Sequence, residues 1–258
     1  MIGSWTNKLA LLIAFGQMAA AAAGQPMERP QLPGIKGDDD RRLIRTTDYP
    51  WRAIGRVNMR TGGFCSGTMI APGQVLTAAH CLWNTKTRDW IPAKSLHFVA
   101  GYKQGGYVAH SRVASYRRAR TFVYGRKLSA DQTSRDWAIL TLSRDISSVT
   151  GVIPLVSAGG RDDVARGRLT VRLIQAGYSQ DKAHMLSVHR GCHIRRTDRQ
   201  RRLIYHDCDA VKGDSGSPLL IRTGERYHLL AIHVATRAEP GRPTEGVAAM
   251  GYDPRDLN

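Results

Sequence analysis

Apolar positions along this chain recur in short runs with a period near two, and almost nowhere at helical spacing. The stretches GQVLTAAH, SLHFVAG, DWAILTL, RLTVRLIQAGY and HLLAIHVA read as strands, and turn-rich pieces such as NTKTRDW, SAGGRDD and RTGER separate them. SPLLIRTGERYHLLAIHV reads as a hairpin with Thr223 and Gly224 at its turn. No long amphipathic helix and no internal repeat is evident. Many short strands at this spacing predict an all-β chain of sandwiches or barrels, with SSVTGVIPLVSAGG as a link between two halves. The length of 258 residues and a hydrophobic fraction of 42% allow a sizeable core, in one large domain or two small fused ones.

The first residues, MIGSWTNKLALLIAFGQMAAAAAGQP, depart from this pattern. A short polar start ends at Lys8, an apolar run follows from Leu9, and small residues gather before Gly24. This is the layout of a secretory signal peptide, predicted over residues 1–23. The run is too short and alanine-rich to anchor, and no later stretch is long enough to span a membrane. The protein is therefore expected to be secreted or periplasmic. Export changes the meaning of the cysteines, because thiols in an oxidising compartment pair. Sequential pairing of Cys65 with Cys81 and of Cys192 with Cys208 closes two short loops. No CxxC and no zinc-ligand spacing occurs, so neither a metal nor a cofactor is expected.

The segment DCDAVKGDSGSP places Ser215 between glycines. By itself that is turn chemistry. A serine becomes a nucleophile only when an imidazole takes its proton and a carboxylate orients that imidazole. LTAAHC supplies His80 at the end of an apolar strand, and SRDWAILTL supplies Asp136 at the mouth of another. LTAAHC, DWAILTL and GDSGSP together resemble the three catalytic segments of the chymotrypsin-like (trypsin-fold) serine proteases, over most of residues 43–235. GDSGSP in place of GDSGGP, the HDCD approach and AIHVA are closer to the bacterial glutamyl endopeptidase branch.

The resemblance implies two packed six-stranded antiparallel β-barrels, about 43–148 and 149–258, with the site in the cleft between them. It implies a triad of His80, Asp136 and Ser215, and an oxyanion hole from the amides of Gly213 and Ser215. It implies a zymogen: residues 24–42 are expected as a propeptide, and cutting after Arg42 would free Leu43 to pair its amine with Asp214. For the specificity pocket two clues conflict. Asp209, six residues before Ser215, matches the pocket-floor carboxylate of trypsins and points to Arg or Lys. His233 matches the histidine with which glutamyl endopeptidases hold an acidic side chain. Basic specificity is the expectation, with Glu or small residues as the alternative. A non-catalytic cationic binding protein on the same scaffold is the reading from another class.

Charge adds a last feature. The chain carries 38 Lys and Arg against 21 Asp and Glu, a net +17. Arg195, Arg196, Arg199, Arg201 and Arg202 fall in the loop between Cys192 and Cys208, a cationic knob suited to anionic surface polymers. No aromatic-interleaved platform accompanies it, so no specific nucleic acid is expected. Protein or peptide substrates and a monomeric state complete the expectation.

Overall fold

The structure is a computed structural model, which describes residues 1–2, 32–45, 47–125, 127–239 and 241–252. The chain divides into a unit of residues 1–31 and a unit of residues 32–258, and the described elements belong to the second. Apart from its first two residues, the leader expected over 1–23 lies outside the described residues, as does the stretch 24–31.

Six strands close the first barrel: β2 (Ile54–Met59), β3 (Phe64–Ala71), β4 (Gln74–Thr77), β7 (Leu96–Ala100), β8 (Ala109–Arg118) and β9 (Ala138–Leu142), in the order β2-β3-β4-β9-β8-β7. A two-stranded ribbon, β5 (Trp83–Asn84) and β6 (Asp89–Trp90), hangs between β4 and β7. The second barrel uses β10 (Arg172–Gly177), β11 (Ser187–Asp198), β12 (Leu203–His206), β13 (Pro218–Thr223), β14 (Arg226–Arg237) and β15 (Glu245–Ala249). Pairing of β12 back onto β11 closes it, and β1 (Arg42–Leu43) lies against the start of β11 as an added edge strand. Closure removes exposed edges, which is how an all-β chain avoids pairing with its neighbours.

Alternation explains the walls. Along β7, Leu96 and Phe98 are buried, whereas His97 between them faces outward and is half-buried. Val57, Met69, Val75, Phe98 and Leu140 fill the first barrel, and Leu173, Ile204, Leu219 and Leu230 fill the second. The connection between barrels holds only two short helices, Ser147–Thr150 and Ala158–Ala165, in the stretch read as a link. Cys65–Cys81 and Cys192–Cys208 are bonded as expected. A disulfide closing a loop of this size contributes about 3 kcal/mol by restricting the unfolded chain. In the hairpin, Thr223 pairs with Arg226, so the two-residue turn is Gly224–Glu225, one position beyond the expected one. Gly224 has φ +58, a left-handed conformation that glycine adopts without cost, and this sets the position of the turn.

Candidate active site

His80 sits on a single 3-10 turn, Ala79–Leu82, directly after β4, and the Cys65–Cys81 disulfide pins that turn to β3. Asp136 immediately precedes β9, which pairs with β4, so the two strands bring the side chains together. Asp136 is 1% exposed and accepts twice: from His80 N at 2.8 Å, and from His80 Nδ1 at 2.6 Å. With its Nδ1 proton so engaged, the ring presents Nε2 as the nitrogen able to take another proton. Burial opposes charge on His80, but the charge of Asp136 and this bond outweigh it and hold the imidazole pKa above its ordinary value.

Ser215 comes from the second barrel and is half-buried. Its carbonyl oxygen accepts from Ser66 N at 2.8 Å and lies 4.0 Å from Cys81 Sγ, the same sulfur that is 3.8 Å from His80 Nε2. The serine thus stands beside the His80–Asp136 pair, though no hydrogen bond joins its hydroxyl to His80 among the described residues. Such looseness is common before substrate binds. His80 and Asp136 line a cleft of about 490 Å³, together with Tyr124, Leu128 and the segment Val234–Arg237.

The turn carrying Ser215 is wired so that two amides stay free. Asp214 N donates to Val211 O, Gly216 N to His233 O and Ser217 N to Asp214 O. The N–H groups of Gly213 and Ser215 donate to no other described residue. Gly213 has φ +98, and a Cβ there would lie 2.4 Å from Tyr178 O, so only glycine fits. Ser66, in β3, holds this turn from the opposite barrel: its hydroxyl donates to Gly213 O at 3.1 Å and accepts from Tyr178 N at 2.8 Å. Nothing in the sequence around Ser66 marked it.

The pairing expected of a Leu43 amine with Asp214 belongs to a chain cut after Arg42, whereas in this structure Arg42 and Leu43 are joined in β1. Leu43 is an internal residue of β1 facing Ser187 and is 45% exposed. Asp214 is buried and accepts from Ser179 Oγ at 2.7 Å and Val211 N at 2.9 Å. Burial pushes its pKa up to about 6, against these bonds and the positive charge of Arg41. Arg41 itself is buried in a double ion pair with Asp39 and Asp181. The boundary expected after Arg42 therefore falls inside a packed segment.

The same segment alters the meaning of Asp209. Its Oδ1 accepts from Lys36 N at 2.8 Å, and its Oδ2 accepts from Asp40 N at 3.0 Å with His189 Nδ1 at 3.3 Å. Burial opposes the charge, but His189 and the two N–H groups keep the carboxyl ionised to below the ordinary carboxylate range. The neighbouring Lys36 ammonium donates to Gly34 O and Cys208 O, and burial lowers its pKa to about 8. The carboxylate expected at a pocket floor is thus engaged by the protein's own backbone. Asp40, His189 and Asp209 form a cluster of metal-ligating types, but both oxygens of the Asp209 carboxylate already accept from backbone N–H groups, of Lys36 and of Asp40.

His233 is buried and meets His206, which sequence reasoning passed over although it stands two residues before Cys208. The rings contact through His206 Nε2 and His233 Nδ1 at 3.2 Å. Gly246 makes room, since a Cβ there would come 2.2 Å from the His206 ring. Burial, then the charges of Lys36 and His80, lower the His233 pKa to about 3, so it is neutral at rest.

The arginine loop is a hairpin of β11 and β12, as its disulfide implied, but its charge is largely paired. Arg195 meets Asp207 at 2.9 Å, Arg196 meets Glu245 at 2.8 Å, and Arg201 meets Asp131 and Asp198 at 2.7 and 3.0 Å. No helix of the described residues is long and apolar enough to cross a membrane.

Comparison with known proteins agrees with this arrangement. A glutamyl endopeptidase of Bacillus licheniformis is 24% identical over 225 residues, covering 81% of this chain and 63% of its own length. Human serine protease 23 is 26% identical over 209 residues, covering 74% of this chain and 52% of its own. The chain thus spans between about half and two thirds of the length of these curated relatives. Among solved structures, a Glu endopeptidase in complex with MPD superposes with a TM-score of 0.67 at 20% identity, covering 84% of this chain and 94% of the other. The protease Anisep of Arthrobacter nicotinovorans gives 0.58 at 16%, covering 78% and 91%. The sequence profile of the trypsin family matches residues 43–249, and the chain belongs to that family of serine peptidases.

Proposed function

We propose that the protein is an exported serine endopeptidase that cleaves peptide bonds through an acyl-enzyme on Ser215 and prefers an acidic residue on the acyl side of the cut. His80 Nε2 takes the proton as Ser215 Oγ bonds to the scissile carbonyl carbon, and Asp136 stabilises the imidazolium that forms. The carbonyl oxygen, now anionic, is received by the free amides of Gly213 and Ser215. His80 then gives its proton to the leaving amine as the C–N bond breaks. Water, deprotonated by the same imidazole, hydrolyses the ester and restores the serine.

The acidic preference rests on the hydrogen-bond direction through the histidine pair. Cys208 N donates to His206 Nδ1 at 3.2 Å, so that nitrogen carries no proton. In a neutral ring the proton is then on Nε2, which donates to His233 Nδ1. His233 consequently keeps its own proton on Nε2, a donor for a substrate carboxylate. The relationship to a glutamyl endopeptidase supports the same choice. Basic specificity loses its support because the Asp209 carboxylate already accepts from Lys36 N and Asp40 N. The packing of Arg41 and the bonds to Asp209 also favour a protease that keeps residues 34–42 rather than shedding them as a propeptide. Profiling the processed enzyme on a peptide library tests the assignment. Cleavage after Glu that His233→Ala abolishes, with labelling of Ser215 by a small phosphonate intact, is expected. Cleavage after Arg and Lys would overturn it.

A further inference from the structure

A second cleft, of about 860 Å³, lies on the first barrel and is lined by Arg60, Lys94, His97, His110, Arg112 and Arg144, with Asn58 among its neutral residues. No carboxylate lines it. None of its four Arg and Lys residues forms an ion pair among the described residues, in contrast to the paired arginines of the β11–β12 hairpin. The cations stand on a rigid wall. Asn58 faces His97 across β2 and β7, and His97 faces Arg112 across β7 and β8, so all three project from one side of the sheet. His97 Nε2 and His110 Nδ1 are 2.7 Å apart, and Arg144 donates to His110 O at 3.1 Å.

The cleft is remote from the candidate active site. Asp136 precedes β9 and Ser143 follows it, so the two ends are separated by about 20 Å at the strand rise of roughly 3.3 Å per residue. A molecule held there leaves the substrate cleft open.

We propose that this cleft binds a linear sulfated polysaccharide. Guanidinium groups match sulfate and carboxylate oxygens in two-pronged fashion, and their charge here has no internal partner. The lining contains no Trp, Tyr or Phe, so it lacks the large flat side chains on which successive nucleic-acid bases stack.

Heparin-agarose chromatography and heparin titration across salt concentrations test this. Replacing Arg60, Lys94, Arg112 and Arg144 together by Ser should lower the slope of log K against log salt by about 3–4, somewhat under one unit for each of the four cations. The single charge reversal Arg112→Glu should give a smaller loss of the same kind, and it covers the case in which the quadruple variant does not fold. Hydrolysis of a small peptide by both variants should match the parent, which also certifies their fold. Arg195→Ser with Arg199→Ser in the hairpin should bind heparin like the parent. Loss of binding in the hairpin variant with retention in the cleft variants would overturn the proposal. So would single-stranded DNA that binds as tightly as heparin at equal salt and loses that binding in Arg112→Glu.

Discussion

Replacing Asp209 by Ala separates a carboxylate that holds the protein together from one that reads substrate. The Asp209 side chain receives two backbone N–H groups from a segment 169 to 173 residues earlier in the chain. A hydrogen bond to an ionised acceptor is worth about 1.5–3 kcal/mol. The Lys36 amide is partly buried and loses its bond outright, whereas Asp40 is exposed and water replaces much of its loss. The sum is about 2–4 kcal/mol, or a fall in Tm of roughly 5–15 °C for a domain of this size. Calorimetry in a Ser215→Ala background, where self-digestion cannot blur the transition, measures it. The sign of the pH dependence follows from a pKa that folding depresses: the stabilisation is complete above the ordinary carboxylate value and is lost as pH falls through the folded one. The difference between variant and parent should therefore close in strong acid. In the active background, peptide preference should not change. An unchanged Tm together with loss of cleavage after Arg or Lys would refute the reasoning, because Asp209 would then face the substrate.

Two further outcomes follow from the site. Asp136→Asn should keep the fold and reduce turnover on the order of 10⁴-fold by misorienting His80, read in kcat on a peptide ester. The parent's rate should rise with pH through a value above the ordinary imidazole pKa of about 6.5, because His80 must be neutral to accept a proton, and the variant's limb should lie lower. Asp214→Asn should gain stability over the parent as pH rises. The parent's carboxyl, with a pKa raised to about 6, carries a cost on ionisation that begins above the unfolded value of 3.8 and is complete beyond 6. Two units amount to about 3 kcal/mol, so urea unfolding at pH 4 and pH 8 should differ between variant and parent by that order. Parallel curves at both pH values would contradict it.

The His80–Asp136 pair, the placement of Ser215 beside it and the two barrels were legible because each of these side chains sits near the end of a strongly apolar strand, where period-two patterning and a glycine or cysteine neighbour mark it. Strand β8 was not, since Arg112, Arg117 and Arg118 interrupt its alternation and its outer face is solvated. The docking of residues 34–41 was hidden for a different reason. Its sequence is charged and reads as a linker, and its partners, Asp181 and Asp209, lie more than a hundred residues away. The conflict between Asp209 and His233 was likewise undecidable from spacing, because it turns on which carboxylate oxygen a distant backbone amide reaches.

Ser66 makes the two halves of the molecule answer to each other. One residue of the first barrel grips the carbonyls of Gly213 and Ser215 through its hydroxyl and its amide, and the imidazole that must act on Ser215 arrives on that same barrel. Neither half by itself brings His80 and Ser215 together. A chain folded in only one lobe therefore lacks the arrangement on which the proposed chemistry depends, and completion of the fold is what assembles it.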